Sequence, residues 1–190
     1  MTAPRLAKAG RLQGKTLAFR DAALADAEFI LGLRTDESKS RHLSRTSGAL
    51  ADQQAWLAAY AQRDGEAYFV IENLAGDKLG TVRLYDGRTV DGQSSFCWGS
   101  WILSDAAPSS AAIESALMVY AYALDTLGFT NAHFQVNLAN ERVCAFHERF
   151  GAQRVSQDDV EIEYTLANAA IREAMKRYAR FLPDPLKVSI

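Results

Sequence analysis

Leu24, Ala27, Ile30 and Leu31 recur at spacings of three and four, so their side chains share one stripe of a helix over residues 21–34. Trp56, Leu57 and Tyr60 mark a second apolar face over residues 50–62. Ile113, Ala116, Leu117, Tyr120, Leu124 and Leu127 mark a third over residues 110–127, where Gly128 is the natural stop. A short helix opens at Asn140 and ends at Gly151, and a tail helix over 169–182 stops before Pro183. Between these segments lie short runs rich in β-branched and aromatic residues. They predict strands over 16–20, 67–71, 79–85, 94–103, 133–138 and 160–166. Asn73, Gly76 and Asp77 supply turn chemistry for a hairpin between the second and third of these. A polar loop covers residues 35–47.

The order is strand, two helices, three strands, helix, strand, helix, one or two strands, helix. That is an α/β (α+β) pattern with a mixed sheet flanked by helices. The chain shows no internal repeat, low-complexity linker or shift of composition, so residues 16–190 are expected to form a single domain. Residues 1–15, with Arg5, Lys8, Arg11 and Lys15, are expected to be a flexible N-terminal arm.

Composition narrows the function. The chain has 190 residues, 48% hydrophobic and 23% charged, which suits one folded core. A net charge of -2 gives no global field for nucleic acid or an anionic membrane. No run approaches a membrane span, and no apolar segment follows the N-terminal basic residues as a secretory signal would require. Cys97 and Cys144 form neither a metal spacing nor a disulfide framework, so no metal is expected and a reduced, cytoplasmic setting is the simplest one.

Two constellations carry chemistry. The loop after the strand over 94–103 is built of small residues and leads into a helix through Pro108, Ser109, Ser110, Ala111 and Ala112. Unpaired N–H groups and the positive helix end suit a phosphate there, and the two serines add hydroxyls. A plain serine-capped helix is the competing reading. The second constellation is Asn140-x-x-Val143-x-x-x-His147-x-x-x-Gly151, with Phe146 and Phe150 beside the histidine. His147 is either a group that titrates near neutrality or a core histidine held by one hydrogen bond.

Together these residues resemble the GNAT superfamily of N-acetyltransferases over about residues 17–166. The run from Ile113 to Leu117, the Leu127-Gly128-Phe129 step and the 140–151 motif carry the resemblance. Leu33-Arg34-Thr35-Asp36 and Gln53-Gln54-Ala55-Trp56 resemble the branch of ribosomal-protein and nucleotide-linked amino-sugar N-acetyltransferases. The resemblance implies a mostly antiparallel central sheet and direct attack of a primary amine on the thioester of acetyl-CoA. Pantetheine would lie along Trp101, Ile102 and Leu103. The diphosphate would lie at Ser109, Ser110, Ala111 and Ala112, with Asn140 and Phe146 on the far wall. Two departures stand out. The family's phosphate loop carries an Arg or Gln and two small residues, mostly glycines, where this chain has Ala107, Ser110 and Ala112, and His147 replaces the commonest tyrosine.

His147 is therefore the candidate catalytic acid, expected to protonate the leaving thiolate as an imidazolium. No carboxylate lies in the strand over 94–103, so the base is open among Glu66, Asp86, Asp91 and water. Arg34, His42, Trp56, Tyr68 and Arg83 are candidates for an acceptor pocket, the arginines for a diphosphate and Trp56 for a base or sugar. Three readings follow: a small-molecule amine acetyltransferase acting on a partner such as a nucleotide-linked amino sugar, a protein N-terminal acetyltransferase, and a non-catalytic CoA-binding module. Ile171, Met175, Tyr178 and Phe181 leave room for a homodimer or for a tail that caps its own core.

Overall fold

A computed structural model describes residues 3–189. The strands are β1 (Arg11–Gln13), β2 (Leu17–Asp21), β3 (Ala67–Asn73), β4 (Lys78–Val90), β5 (Gln93–Leu103), β6 (Asn131–Asn137), β7 (Gln153–Gln157), β8 (Glu161–Leu166) and β9 (Lys187–Ser189). They form one sheet in the order β7-β8-β6-β5-β4-β3-β2-β1-β9. Every neighbouring pair is antiparallel except β5 and β6. The helices are α1 (Ala27–Thr35), α2 (Glu37–Ser40), α3 (Leu50–Gln62), α4 (Ala111–Ala121), α5 (Glu141–Arg149) and α6 (Asn168–Arg177). This is the mixed sheet with flanking helices that the pattern implies, mostly antiparallel as the resemblance implies.

Alternation along β3 divides the interior between two faces. Ala67, Phe69 and Ile71 belong to the large core around α4, while Tyr68 and Val70 belong to a smaller one with Ile30, Leu57 and Tyr60 from α1 and α3. From Glu114 to Ala121 every residue of α4 is buried, as expected of a helix that is apolar nearly all round. Glu114 is the charged exception in this run. Its carboxylate accepts from the N–H groups of Lys15, Thr16 and Leu17 at 2.7, 2.7 and 3.0 Å, and from the Thr16 hydroxyl at 2.5 Å. The first turn of α4 is thus fastened to the start of β2.

Three expectations change. Residues 1–15 are not a free arm where the structure describes them. Leu6, Ala9 and Leu12 are buried, and Arg11–Gln13 pairs with β2 on one side and β9 on the other. The N-terminal and C-terminal segments pair there, and β9 becomes the outermost strand of the sheet. The helix over 110–127 is α-helical only to Ala121 and widens to a π turn over Tyr122–Thr126. The tail helix ends at Arg177 and continues as a 3-10 turn over Ala179–Phe181, with Ile171 fully buried and Tyr178 stacked on Phe150 at 5.3 Å. The tail caps the domain's own core.

The feature that positions the site is the parting of β5 from β6. Among the described residues their register partners are only Ser95 with Asn131 and Phe96 with Ala132. Beyond Phe96 the β6-side edge of β5 has no ladder. Among the described residues, no helix is long and apolar enough to cross a membrane, and no group of three or more potential ligands gathers for a metal.

Candidate active site

β5 changes direction just past the point of divergence. Arg83 pairs with Gly99 and Thr81 with Ile102, so Val82 faces both Ser100 and Trp101, a β-bulge with Ser100 at φ 46. The bulge turns Ser100 toward a cavity on the α1–α3 face. Trp101 lies on the other face, where its indole N–H donates to Ser115 of α4 at 3.1 Å. Gly80 of β4 backs this stretch so closely that a Cβ there would lie 2.2 Å from the Ile102 carbonyl oxygen.

The mouth of α4 has the donors that the sequence suggests. Ala111 N–H is spent on Pro108 and Glu114 N–H on Ser110. Among the described residues, the N–H groups of Ser109, Ser110, Ala112 and Ile113 have no protein acceptor. The hydroxyls of Ser109 and Ser110 are also without partners among those residues, and neither caps the helix. Unspent N–H groups at a positive helix end suit an anion, although the glycine and the basic residue are missing. Across the divergence, Asn140 opens α5 through its carbonyl, which accepts from Val143 and Cys144 at 3.0 Å each, and not through its side chain. Phe146 stacks on Phe150 at 4.8 Å and lies 5.2 Å from Trp101.

His147 is placed beside the β5 edge, but it is not the imidazolium expected. Its ring packs against Phe134 at 4.2 Å, Trp98 at 5.3 Å and Trp101 at 6.3 Å, and Nδ1 has no hydrogen-bond partner. Burial in this aromatic nest pushes its pKa down to about 3. The ring is neutral at neutral pH.

The cavity on the other face has a volume of about 330 Å³. Arg34, Trp56, Tyr68 and Arg83, from α1, α3, β3 and β4, all line it. His42 does not. Gln53, from the run that carries the branch resemblance, lines it too, and so do Arg45, Asp52 and Ser100, which no periodicity or motif in the sequence marks. Arg34 is held by Thr46 at 2.5 Å, Ser44 at 3.1 Å and Ser100 at 3.4 Å. Arg83 is held by Glu66, whose other oxygen takes Arg63 at 3.0 Å. Arg83 and Arg63 flank the Trp56 ring, 5.2 and 5.0 Å from its centre. Of the carboxylates considered as bases, Glu66 is committed to these arginines, Asp86 contacts His133 and Arg88, and Asp91 forms part of the β4–β5 turn.

The chain matches the family model for the acetyltransferase (GNAT) domain over residues 16–153. It belongs to the GNAT acetyltransferases. This enzyme accordingly takes its acetyl group from acetyl-CoA. The apo structure of FdhC, described as a nucleotide-linked sugar GNAT, is similar at 39% identity and a TM-score of 0.81, covering 91% of this chain and 98% of that one. A GCN5-related N-acetyltransferase from Brucella melitensis shares the fold at 15% identity, a TM-score of 0.76, and 96% and 90% coverage. So does a spermidine N-acetyltransferase from Vibrio cholerae in complex with CoA and spermine, at 13% identity, a TM-score of 0.73, and 83% and 98% coverage. The comparison with curated protein sequences found no match.

Proposed function

We propose that this GNAT enzyme acetylates the primary amine of a small anionic acceptor, a nucleotide-linked amino sugar. The observation that carries this reading is the cavity charge: Arg34, Arg45 and Arg83 line it against one carboxylate, Asp52. Guanidinium pairs suit a diphosphate through bidentate geometry, and Trp56 offers a flat face for a base or sugar. The same charge repels a polyamine or a cationic N-terminus. The 39% identity to a nucleotide-linked sugar GNAT supports the same class.

In this reading acetyl-CoA lies along the free edge of β5. Its pantetheine takes the place of a neighbouring strand beside Trp101, Ile102 and Leu103. Its diphosphate takes the free N–H groups at Ser109, Ser110 and Ala112, with Ala111 shaping the turn. Asn140 and Phe146 form the opposite wall. The acceptor enters from the cavity and meets the thioester at the bulge, because Ser100 lines the cavity while the adjacent Trp101 lies on the cofactor face.

The neutral amine attacks the thioester carbonyl carbon. The C–N bond forms, a backbone N–H of the β5 edge steadies the oxyanion, and one such donor is typically worth about 2.7–4 kcal/mol. Collapse breaks the C–S bond, and the proton shed by nitrogen ends on the CoA sulfur through water. His147 has a supporting place. A neutral imidazole gives the sulfur a hydrogen bond but does not surrender its proton at neutral pH.

The test is release of CoA thiol from acetyl-CoA across UDP- and dTDP-linked amino sugars, free amino acids, peptides with ribosomal-type N-termini, and spermidine. Turnover confined to the nucleotide-linked sugars is the expected result. Turnover confined to peptides or spermidine overturns it.

A further inference from the structure

Thr81 of β4 is fully buried beside its register partner Val70, on the face of the smaller core. A valine would fill the same volume. The hydroxyl adds a directed bond: it donates to the Ser100 carbonyl oxygen at 2.9 Å. Ser100 is a residue that needs holding. Its φ of 46 lies in the left-handed region, which it shares with Asp86 and Asp91 among the described non-glycine residues. Aspartate tolerates that region well, whereas a serine within a strand seldom enters it. Arg34 Nη1 reaches the Ser100 hydroxyl at 3.4 Å from the other side. Backbone strain retained next to a cleft points to a geometry that the cleft uses.

That geometry follows from the planar peptide. In a trans peptide the carbonyl and the N–H point to opposite sides, and among the described residues the cis bond is Asp184–Pro185. Thr81 draws the Ser100 carbonyl toward β4. The N–H of Trp101, in the same peptide, therefore faces away from β4, on the edge where β5 has no ladder with β6. The next residue turns the other way. The Ile102 carbonyl faces Gly80 of β4, so the N–H of Leu103 also faces the free edge and that of Ile102 does not. Trp101 and Leu103 are thus the two donors along this edge. The small-residue loop into α4 lies beyond Leu103, at residues 109–112. A cofactor with its diphosphate there meets Leu103 with its pantetheine arm and Trp101 with its thioester.

We infer that Thr81 is a positioning residue, and that the group it aims is the N–H of Trp101, the donor to the thioester oxygen. The inference rests on the placement of acetyl-CoA along β5 and is independent of the acceptor's identity. As the amine attacks, the carbonyl π pair moves onto oxygen and the hydrogen bond to it tightens. When the C–S bond breaks, that pair re-forms the carbonyl and the bonding pair leaves with sulfur. A peptide freed from the Thr81 hydroxyl follows the developing charge poorly. The loss falls on kcat rather than on the binding of acetyl-CoA.

The experiment uses the full-length enzyme labelled with ¹³C-carbonyl serine and ¹⁵N-tryptophan. Ser100–Trp101 is the one serine–tryptophan step in the chain, so a carbonyl-filtered spectrum holds a single amide signal. Saturating acetyl-CoA is expected to move the Trp101 amide proton downfield of its position with saturating CoA. Thr81→Ser keeps this difference and Thr81→Val loses it. With an amine that the wild type acetylates, Thr81→Val is expected to lower kcat about 10-fold or more, with the KM for acetyl-CoA within about twofold and Thr81→Ser close to wild type. If Thr81→Val does not fold, Thr81→Ala carries the same expectation. A wild-type signal that both ligands move equally overturns the inference and leaves the cofactor on β5. A signal that neither ligand moves overturns the placement as well. Equal losses in Thr81→Ser and Thr81→Val reduce Thr81 to packing and overturn its positioning role.

Discussion

Ser95 Oγ lies 2.7 Å from His133 Nδ1, at the level where β5 and β6 share their two register pairs. His133 Nε2 reaches on to Asp86 at 3.2 Å, so one imidazole joins β6 to both β5 and β4 immediately below the divergence. The pair behaves as a rivet that fixes where the strands separate. Ser95→Ala leaves a buried ring nitrogen without its partner and is expected to cost about 1–3 kcal/mol in a urea melt. If the rivet sets the cofactor cleft, the KM for acetyl-CoA rises severalfold while the acceptor KM stays within twofold. Equal rises in both would indicate general loosening.

Glu114 makes a second fastening, at the first turn of α4. Its carboxylate gathers three consecutive N–H groups and a hydroxyl from the Lys15–Leu17 turn. The approach is close enough that a Cβ on Gly14 would sit 2.7 Å from Glu114 Oε1. Glu114→Ala strands these donors in a buried site and is expected to cost at least about 3 kcal/mol. Gly14→Ala attacks the same contact from the other side by steric displacement. Both are measured by thermal unfolding, and a Glu114→Ala variant as stable as wild type would contradict the clamp.

Much of this was legible in the sequence because it is periodic. Residues 50–62 form a helix at the bounds read from Trp56, Leu57 and Tyr60, and the strand over 94–103 gains only Gln93. What escaped depends on contacts between distant parts of the chain. β1 and β9 are three residues each, too short to show alternation, and exist through pairing, β1 with β2 and β9, and β9 with β1. The cavity on the α1–α3 face was half visible. Its arginines and aromatics stand on regular elements, whereas Arg45 reaches it from a loop and Ser100 through a bulge that no period reports. The charge state of His147 was hidden for the same reason. Phe134 and Trp98, which desolvate it, come from β6 and β5.

That burial has a consequence for pH. The folded His147 titrates at about 3, below the ordinary value of 6.5, so between these limits the unfolded chain binds the extra proton. Stability from this group is complete above about pH 6.5 and falls as the pH drops, at up to about 1.4 kcal/mol per unit. His147→Phe keeps an aromatic ring in the nest and is expected to flatten this slope in denaturant melts between pH 7 and 4. It is also expected to retain turnover within about 10-fold and to leave the kcat–pH profile unchanged near pH 6.5, because no imidazolium is lost. A variant whose rate collapses, together with a wild-type limb near 6.5 that vanishes, would restore the histidine as an acid.

Arg34 and Arg83 line one cavity but differ in what they leave behind when removed. Arg34 is held by hydroxyls and a backbone carbonyl, so Arg34→Met strands no charge. It is expected to raise the acceptor KM by about 10-fold or more with the Tm little changed, since a charge-assisted bond to a diphosphate contributes about 1.5–3 kcal/mol. Arg83 also neutralises Glu66, a carboxylate with 8% of its side chain exposed and Arg63 as its remaining partner. Arg83→Met therefore raises the acceptor KM and lowers stability together, while Arg83→Met with Glu66→Gln recovers the stability and not the KM. Initial rates with a nucleotide-linked amino sugar, set beside melts of the three variants, separate the two roles. If the double variant regains acceptor affinity as well, Arg83 serves only Glu66, and the anion is held by Arg34 and Arg45.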